Sequence, residues 1–541
     1  MADNKDSKWF KFPQVCKVEA SAGCGKTYAL ARRYIQLLIN PCLNPQAIPL
    51  RELLAITFTN KAAIEMKGRI LEFLKKIALD KFAGPKEKED ILSSLAVDEE
   101  FARQKAYKIM DNLIRNYNFF QVQTIDSFIN AILCGCAFRL NLSASFKTER
   151  DWRQYLIYSL DKLIDRAQED KEILSLFYGF LKQYLYIGNK TSWFPKQNIQ
   201  ASIASLFSKS NRYADKFIRN NIEPKELLLE KKGLIKLLDE LNSNLPEATH
   251  QSFKNSLAVF LEEDRDSLDI DRLSNWFKRE GFPVRKGETP SPETIKLWRQ
   301  IRKNIKGLCE LESASVFNYY IDIFNNVLYD LKKISSDKDV LFLEALNKEA
   351  RSLFDEKSLS LPELYYRLAT RFKHFLIDEF QDTSRLQWEN LFPMVEEALS
   401  TEGSLFYVWD RKQAIYRFRG GEVSLMDSVK RRFQDSNLIE EFLTINYRSQ
   451  KSIVEFNNLI FSRDNLKRFL EQKEEAKKAG PELSSSDMDE ILNIFRGSRQ
   501  TYKEDKTGGY VKSEFLDYKT KEERDEALKG QIFSLIADLG K

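Results

Sequence analysis

Apolar residues along this 541-residue chain follow two different rhythms. Up to about residue 145, short, mainly apolar runs (Val15 to Ala20, Leu53 to Ile56, Phe119 to Val122) alternate with stretches where apolar positions return every three or four residues, as at Leu30, Tyr34, Leu37 and Leu38. Apolar runs between helical stretches predict buried parallel strands with helices packed on the sheet faces. From about 146 to 350 only the helical spacing persists, for example Trp152, Leu156, Leu160, Leu163 and Ile164, then Leu234, Leu237, Leu238 and Leu241. The sheet rhythm resumes at His374 to Ile377 and at Ser404 to Trp409. The pattern therefore predicts an α/β fold: a parallel-sheet domain from residues 1–145 and 351–435, interrupted by a large all-helical insertion at 146–350, with a further unit at 436–541. In that last unit Tyr510 to Leu516 reads as a strand and Ile532 to Leu539 as the helix after it, while the charged, turn-rich stretch Arg463 to Ser486, with Gly480-Pro481, reads as a mobile segment.

Two of the strand ends carry chemistry. The run Val15 to Ala20 leads into Ala20-Ser21-Ala22-Gly23-Cys24-Gly25-Lys26-Thr27 and then a helical pattern, the strand, loop and helix order of a phosphate cradle. Small residues let backbone N–H groups approach phosphate oxygens, and the helix offers the positive end of its dipole to the anion. Lys26 can reach the β- and γ-phosphates of ATP, and the Thr27 hydroxyl suits Mg²⁺, which takes oxygen ligands and keeps several waters. Ala20 stands where the strict pattern has glycine. At the other strand end, Asp378 and Glu379 follow His374 to Ile377 directly, at the carboxyl edge where open α/β sheets bind ligands. Asp378 can hold Mg²⁺ through water, and Glu379 can orient and deprotonate an attacking water.

Composition changes this picture little. With 43% hydrophobic residues the chain can bury several cores, and Lys+Arg 85 against Asp+Glu 80 leaves a net charge of only +5, so nucleic-acid contacts must come from local stripes. Lys75-Lys76 and Lys430-Arg431-Arg432 are candidates, although short charge runs are usually solvated helix faces. Six scattered cysteines lack zinc-site spacing, two histidines exclude a His-based metal centre, and no apolar run is long enough for a membrane span. A cytoplasmic location with free thiols is expected.

Taken in order, these segments resemble a superfamily 1 DNA helicase of the UvrD/RecB/AddA type, nearest to RecB-like and AddA-like subunits of helicase–nuclease complexes. Besides the cradle, the resemblance rests on Thr57-Phe58-Thr59-Asn60-Lys61-Ala62-Ala63-Ile64-Glu65-Met66, Thr124-Ile125-Asp126-Ser127-Phe128, the acidic segment Asp378 to Ser384, Val408-Trp409-Asp410-Arg411-Lys412-Gln413 through Gly421, and Asn446-Tyr447-Arg448-Ser449. It implies a P-loop, RecA-like core domain and the start of a second one. It also implies DNA contacts at Phe58, Thr59, Asn60, Thr124, Asp126 and Ser127, with Tyr416 and Phe418 as aromatics near the path of single-stranded DNA. Gln381 and Gln413 match glutamines that sense the γ-phosphate, Arg448 an arginine that reaches it, and Tyr447 an aromatic that stacks on adenine. Tyr28 stands where some relatives carry arginine beside the base, Trp409 replaces a usual glycine, Ala414 a usual serine, and Asp126 a frequent histidine. The resemblance further implies 3′-to-5′ movement on DNA, double-strand-break processing and a nuclease-bearing partner. The family's last two helicase motifs, with a second γ-phosphate arginine, are not in the sequence, which reads as the N-terminal part of a longer protein with little activity by itself. An alternative from another class is a nucleotide-gated DNA-binding subunit whose motor is structural or regulatory.

Overall fold

The computed structural model describes residues 9–39, 50–186, 194–214, 216–222, 224–263, 270–285, 287–355, 360–368, 370–414, 423–433, 437–475, 485–516, 518 and 520–539. Its strands in chain order are β1 (Gln14–Ala20), β2 (Leu53–Thr57), β3 (Val122–Thr124), β4 (Lys147–Glu149), β5 (Val340–Phe342), β6 (His374–Ile377), β7 (Ser404–Trp409), β8 (Asn437–Leu443), β9 (Ile445–Asn446) and β10 (Thr501–Tyr502). By their contacts the residues form two units, one of 1–128 with 361–541 and one of 129–360.

In the first unit six parallel strands make one sheet, in the order β3-β2-β6-β7-β1-β8. A parallel strand covered on both faces has no solvent side, so its sequence is solidly apolar rather than alternating. Accordingly every residue of β2, β6 and β7 is buried. Helices α1 (Lys26–Ile39), α2 (Asn60–Leu79) and, after the shorter α3 (Pro85–Ser93), α4 (Glu99–Arg115) cover one face, where Leu30, Tyr34, Met66, Ile70 and Ile109 close over Cys16, Val18, Phe406 and Val408. Each such fully buried large side chain contributes about 1.5–3 kcal/mol. On the other face the helix Arg385–Ser400 brings Trp388 edge-on to Phe380, which lies 4.9 Å from Tyr407. At the start of β6, His374 is pushed down to about 3 by burial and so is neutral, with Nδ1 2.9 Å from Ser404 Oγ.

Four sequence expectations need correction. β8 lies beyond residue 435 yet is hydrogen-bonded to β1 along its whole length. It is an edge strand of mixed exposure carrying Glu440 and Glu441, so no apolar run announces it. The run Phe119 to Val122 is a strand only from Val122, because Tyr117–Phe119 form a 3-10 turn that puts Phe120 edge-on to Tyr34. Tyr510 to Leu516 form no strand, and Arg463–Glu475 are a helix. Residues 476–484, including Gly480-Pro481, lie outside the described residues.

The second unit begins within α5 (Ile125–Gly135), and its only described strands are the short parallel pair β4 and β5. A helix of 46 residues, Pro292–Asp337, runs through it, started by Pro292 at the first turn and by the Ser291 hydroxyl accepting from Thr294 N. Trp298, Ile301 and Leu308 on its first half join one core with Leu238 and Phe253, and Ile323, Phe324 and Val327 on its second half join another with Leu160 and Ile203.

Candidate nucleotide site

Parallel strands in register bring their carboxyl ends to one edge, and Ala20, Thr57, Ile377 and Trp409 end there together. After β1 the chain turns through Gly23 (φ +82) and Gly25 (φ +84) before α1 begins at Lys26. Both angles are in the left-handed region, which only glycine adopts without strain. The first turn of α1 carries no acidic residue of its own to set against its free N–H groups. Lys26 is buried and donates from Nζ to Glu379 Oε2 at 2.7 Å and to Gln413 Oε1. Gln381 Nε2 donates to the same Glu379 oxygen at 2.5 Å, while its Oε1 accepts from Asp410 N at 3.0 Å. The Asp410 carboxylate accepts from Lys412 N and pairs with Lys412 Nζ at 2.8 Å. One polar chain thus joins the ends of β1, β6 and β7.

Asp378 is fixed by its N–H to Ile56 O at 2.8 Å and is 4% exposed. Burial, with Glu379 beside it, pushes its carboxyl up to about 7, and the same causes raise Asp382 to about 6. At both carboxyls burial and the Glu379 charge outweigh the opposing pull of Lys26, a balance that a divalent cation would reverse. The fit is also one of donor type. Thr27 at the start of α1 and Asp378 offer oxygen only, and Asp382 Oδ1 and Thr57 Oγ1 are buried without a hydrogen-bond partner. Among the described residues no group of three or more His, Cys, Asp or Glu could hold a metal ion. A cation here would take most of its ligands from phosphate and water, as Mg²⁺ does. Glu379 adopts φ +47, left-handed for a residue with a side chain, and such strain is found where function fixes a conformation.

The segment after β8 closes over the loop. Tyr447 N donates to Gly23 O at 2.9 Å, and the Asn446 carboxamide oxygen accepts from Arg448 N and Ser449 N at 2.9 and 2.8 Å, holding a tight turn. A Cβ on Gly25 would lie 3.8 Å from the Tyr447 ring, which is half-exposed beside the loop, and Tyr28 packs edge-on to Phe73 at 5.0 Å. Arg448 is exposed.

The expected DNA contacts divide. Thr59 and Asn60 are exposed where α2 begins, but the Thr59 hydroxyl also caps that helix by accepting from Ala62 N at 3.1 Å; Phe58 is half-buried. Thr124 is buried, and its hydroxyl accepts from Ser127 N and lies 2.7 Å from Ser127 Oγ, so it shapes the start of α5. Asp126 Oδ1 accepts from Gln387 Nε2 at 3.0 Å. Tyr416 and Phe418 lie outside the described residues. Trp409 is fully buried, with Lys17 Nζ 4.8 Å and Arg411 Cζ 4.7 Å from its ring. The candidate basic residues Lys76 and Arg432 are engaged in ion pairs, with Glu72 and Glu87 and with Glu396. Asp382, Lys412 and Gln387 join the site without having been expected there. Ser384-x-x-Gln387 is a capping box, with both reciprocal bonds present, and this much is readable in the sequence. Lys412 gives no such signal, since a basic residue two positions after an aspartate is a spacing found in many solvated loops.

Residues 2–434 match the family described as UvrD/REP helicase N-terminal domain. Among curated proteins, the chain is 26% identical over 504 residues to an ATP-dependent helicase/nuclease subunit of Enterococcus faecalis, covering 85% of this chain and 38% of that protein. The identically named proteins of Listeria welshimeri and Staphylococcus aureus are 25% and 22% identical, over 82% and 84% of this chain and 38% and 39% of theirs. The chain thus spans well under half the length of these relatives. Among the described residues no helix is long and apolar enough to cross a membrane. With its glycine loop, acidic strand end and linking glutamines set on one sheet edge, and with four-fifths of its length inside the family's domain, the chain belongs to the UvrD/REP helicase family.

Proposed function

We propose that this chain is motor machinery of an ATP-dependent DNA helicase, and the observation that carries the reading is the meeting of Lys26, Glu379 and Gln413 at the ends of three adjacent strands. ATP docks with its phosphates on the N–H groups of Gly23 to Lys26 and of the first turn of α1. Lys26 exchanges Glu379 and Gln413 for phosphate oxygens. Mg²⁺, held by Thr27 and Asp378, would neutralise phosphate charge when bound. Glu379, released from Lys26, orients a water in line with the γ-phosphorus and takes its proton. Gln381 and Gln413 pass the change to the Asp410 loop, Tyr447 stacks on adenine, and Arg448 reaches the γ-phosphate.

Residues 444–541 are proposed as the start of a second RecA-like domain, consistent with the broadly exposed apolar side chains Phe515, Ile532, Phe533 and Ile536, and residues 129–360 as an insertion in the first. DNA is proposed to pass over the starts of α2 and α5, contacting Phe58, Thr59, Asn60, Asp126 and Ser127, with 3′-to-5′ movement. A nuclease-bearing partner protein, a role in double-strand-break repair and a cytoplasmic location belong to the same reading. The test is ATP turnover with and without single-stranded DNA by the full-length protein and its Lys26→Ala variant. DNA stimulation in the wild type that is lost in the variant supports the motor; nucleotide binding with no DNA-stimulated turnover overturns it.

A further inference from the structure

The phosphate loop is gripped from outside by a residue that no motif announces. Gln500 Nε2 donates to Ala22 O at 3.0 Å and lies 3.3 Å from Cys24 Sγ, and its Oε1 accepts from Asn446 Nδ2 at 2.8 Å. Asn446 Nδ2 also reaches Ala22 O, at 3.4 Å. Gln500 is itself held at both backbone groups: its N–H donates to Asn458 Oδ1 at 2.9 Å and its carbonyl accepts from Asn458 Nδ2 at 2.8 Å. The next residue, Thr501, donates to Thr444 O and opens the β9–β10 pair. Three amide side chains, Asn458, Gln500 and Asn446, therefore form a braced relay ending on the loop.

We propose that Gln500 is a positioning residue for phosphate binding, acting through the Ala22 peptide; this rests on the reading of the loop as an ATP site. A trans peptide is planar, so its C=O and the following N–H point in opposite directions. Tying Ala22 O to Gln500 turns the Gly23 N–H toward the other side of the loop, and the next peptide plane is held by Tyr447 N on Gly23 O and by Cys24 N donating to Ser21 O at 3.2 Å. The loop is glycine-rich and would otherwise sample many peptide orientations, so presetting them lowers the ordering cost of binding an anion. Space permits nothing bulkier between loop and clasp, since a Cβ on Gly23 would lie 2.8 Å from Asn446 Oδ1. Gln500 senses no phosphate itself. It sets the donors that do.

The test compares MgADP and AMP affinity, by displacement of a fluorescent nucleotide, with thermal melting of the nucleotide-free protein, in full-length wild type, Gln500→Ala, Gln500→Glu and the shape-preserving Gln500→Met. Gln500→Ala and Gln500→Met should each weaken MgADP about fivefold, the effect of one lost hydrogen bond, and Gln500→Glu should weaken it at least about tenfold by facing Ala22 O with a second acceptor. AMP, which leaves the β-phosphate position empty, should change by less than about twofold, and melting of Gln500→Met should stay close to wild type. Unchanged MgADP affinity in Gln500→Met and Gln500→Glu overturns the assignment, as does an equal loss for AMP and MgADP accompanied by lower melting, which marks a merely structural role. If Lys26→Ala weakens MgADP while the Gln500 variants do not, the ATP-site reading stands and this inference alone falls; if wild type binds no MgADP, both fall.

Discussion

The sheet unit and the helical unit both bury extensive apolar clusters, but they place buried polar groups differently. In the helical unit these groups meet in separate pairs, two between helices and one between a helix and a loop: Arg166 with Asp330 at 2.9 Å, Lys231 with Glu312 at 2.9 Å, and Asn318 with the loop residue Asn220 at 2.8 Å, with Asp330 Oδ2 left without a partner. In the sheet unit Lys26, Asp378, Gln381, Asp382, Asp410 and Asn446 converge on one edge, and Asp382 Oδ1 and Asp410 Oδ2 among them are unpartnered. Separate pairs of this kind hold neighbouring segments together at little net gain in stability. Under the proposed function the convergent cluster is where charge is held for a ligand, which would divide the labour, with chemistry in the sheet unit and support in the helical one.

Four measurements would break or sharpen that contrast. The largest effect is expected for Glu379→Gln, which should cut DNA-stimulated ATP turnover of the full-length protein by about 10²–10⁴-fold while keeping or raising MgATP affinity, because Lys26 loses its 2.7 Å competitor. Near-normal turnover would move the base elsewhere. In the helical unit, Trp298→Ala removes a ring that is 1% exposed, stacked 5.0 Å from Phe277 and hydrogen-bonded to Glu280 O. It should cost about 3–5 kcal/mol in chemical denaturation and leave MgADP affinity unchanged; a loss of affinity would undo the division of labour.

The third concerns pH. Asp378 has a folded value of about 7, above the ~3.9 of an unfolded aspartate. Between these values the folded state holds more protons, so its stability falls as pH rises from about 4 to about 7 and then levels. Asp382, at about 6, adds in the same sense over a narrower window. For the nucleotide-free protein without divalent ions, Asp378→Asn should flatten the melting-versus-pH curve in that window, by at most about 4 kcal/mol, and leave the shallower part due to Asp382. Parallel curves for wild type and variant would show Asp378 to be ordinarily solvated. The smallest effect is for Ser384→Ala, which removes the capping box of the helix bearing Gln387 and should cost about 1 kcal/mol in denaturation. A null result would mean that the helix start is held by Gln387 and Asp126 alone.

Much of the molecule is legible in its sequence where local chemistry and position coincide. His374–Ile377 and Ser404–Trp409 announce themselves because central parallel strands are buried on both faces and largely apolar, and Gln14–Ala20, though it carries Lys17 and Glu19, is marked by the glycine loop that follows it. Gly23 and Gly25 mark a loop only glycine can make. β8 escapes such a reading because an edge strand can carry Glu440 and Glu441, and helix Arg463–Glu475 because charge density alone does not separate a solvated helix from a mobile segment. None of the five described cysteines is joined in a disulfide.

What the sequence determined by itself is the inventory: a glycine loop between a strand and a helix, an acidic pair at a strand end, and a long run with helical spacing only, each written in residues a few positions apart. What only the tertiary structure decided is who meets whom. Lys26 faces Glu379 and Gln413 across separations of 353 and 387 residues, and Gln500 grips a loop 478 residues away. The reason is physical: strand and loop propensities are local, whereas these hydrogen bonds depend on the order in which six strands assemble, and it is the placement of β7 beside β1, with β8 on its other side, that brings the partners into hydrogen-bond reach.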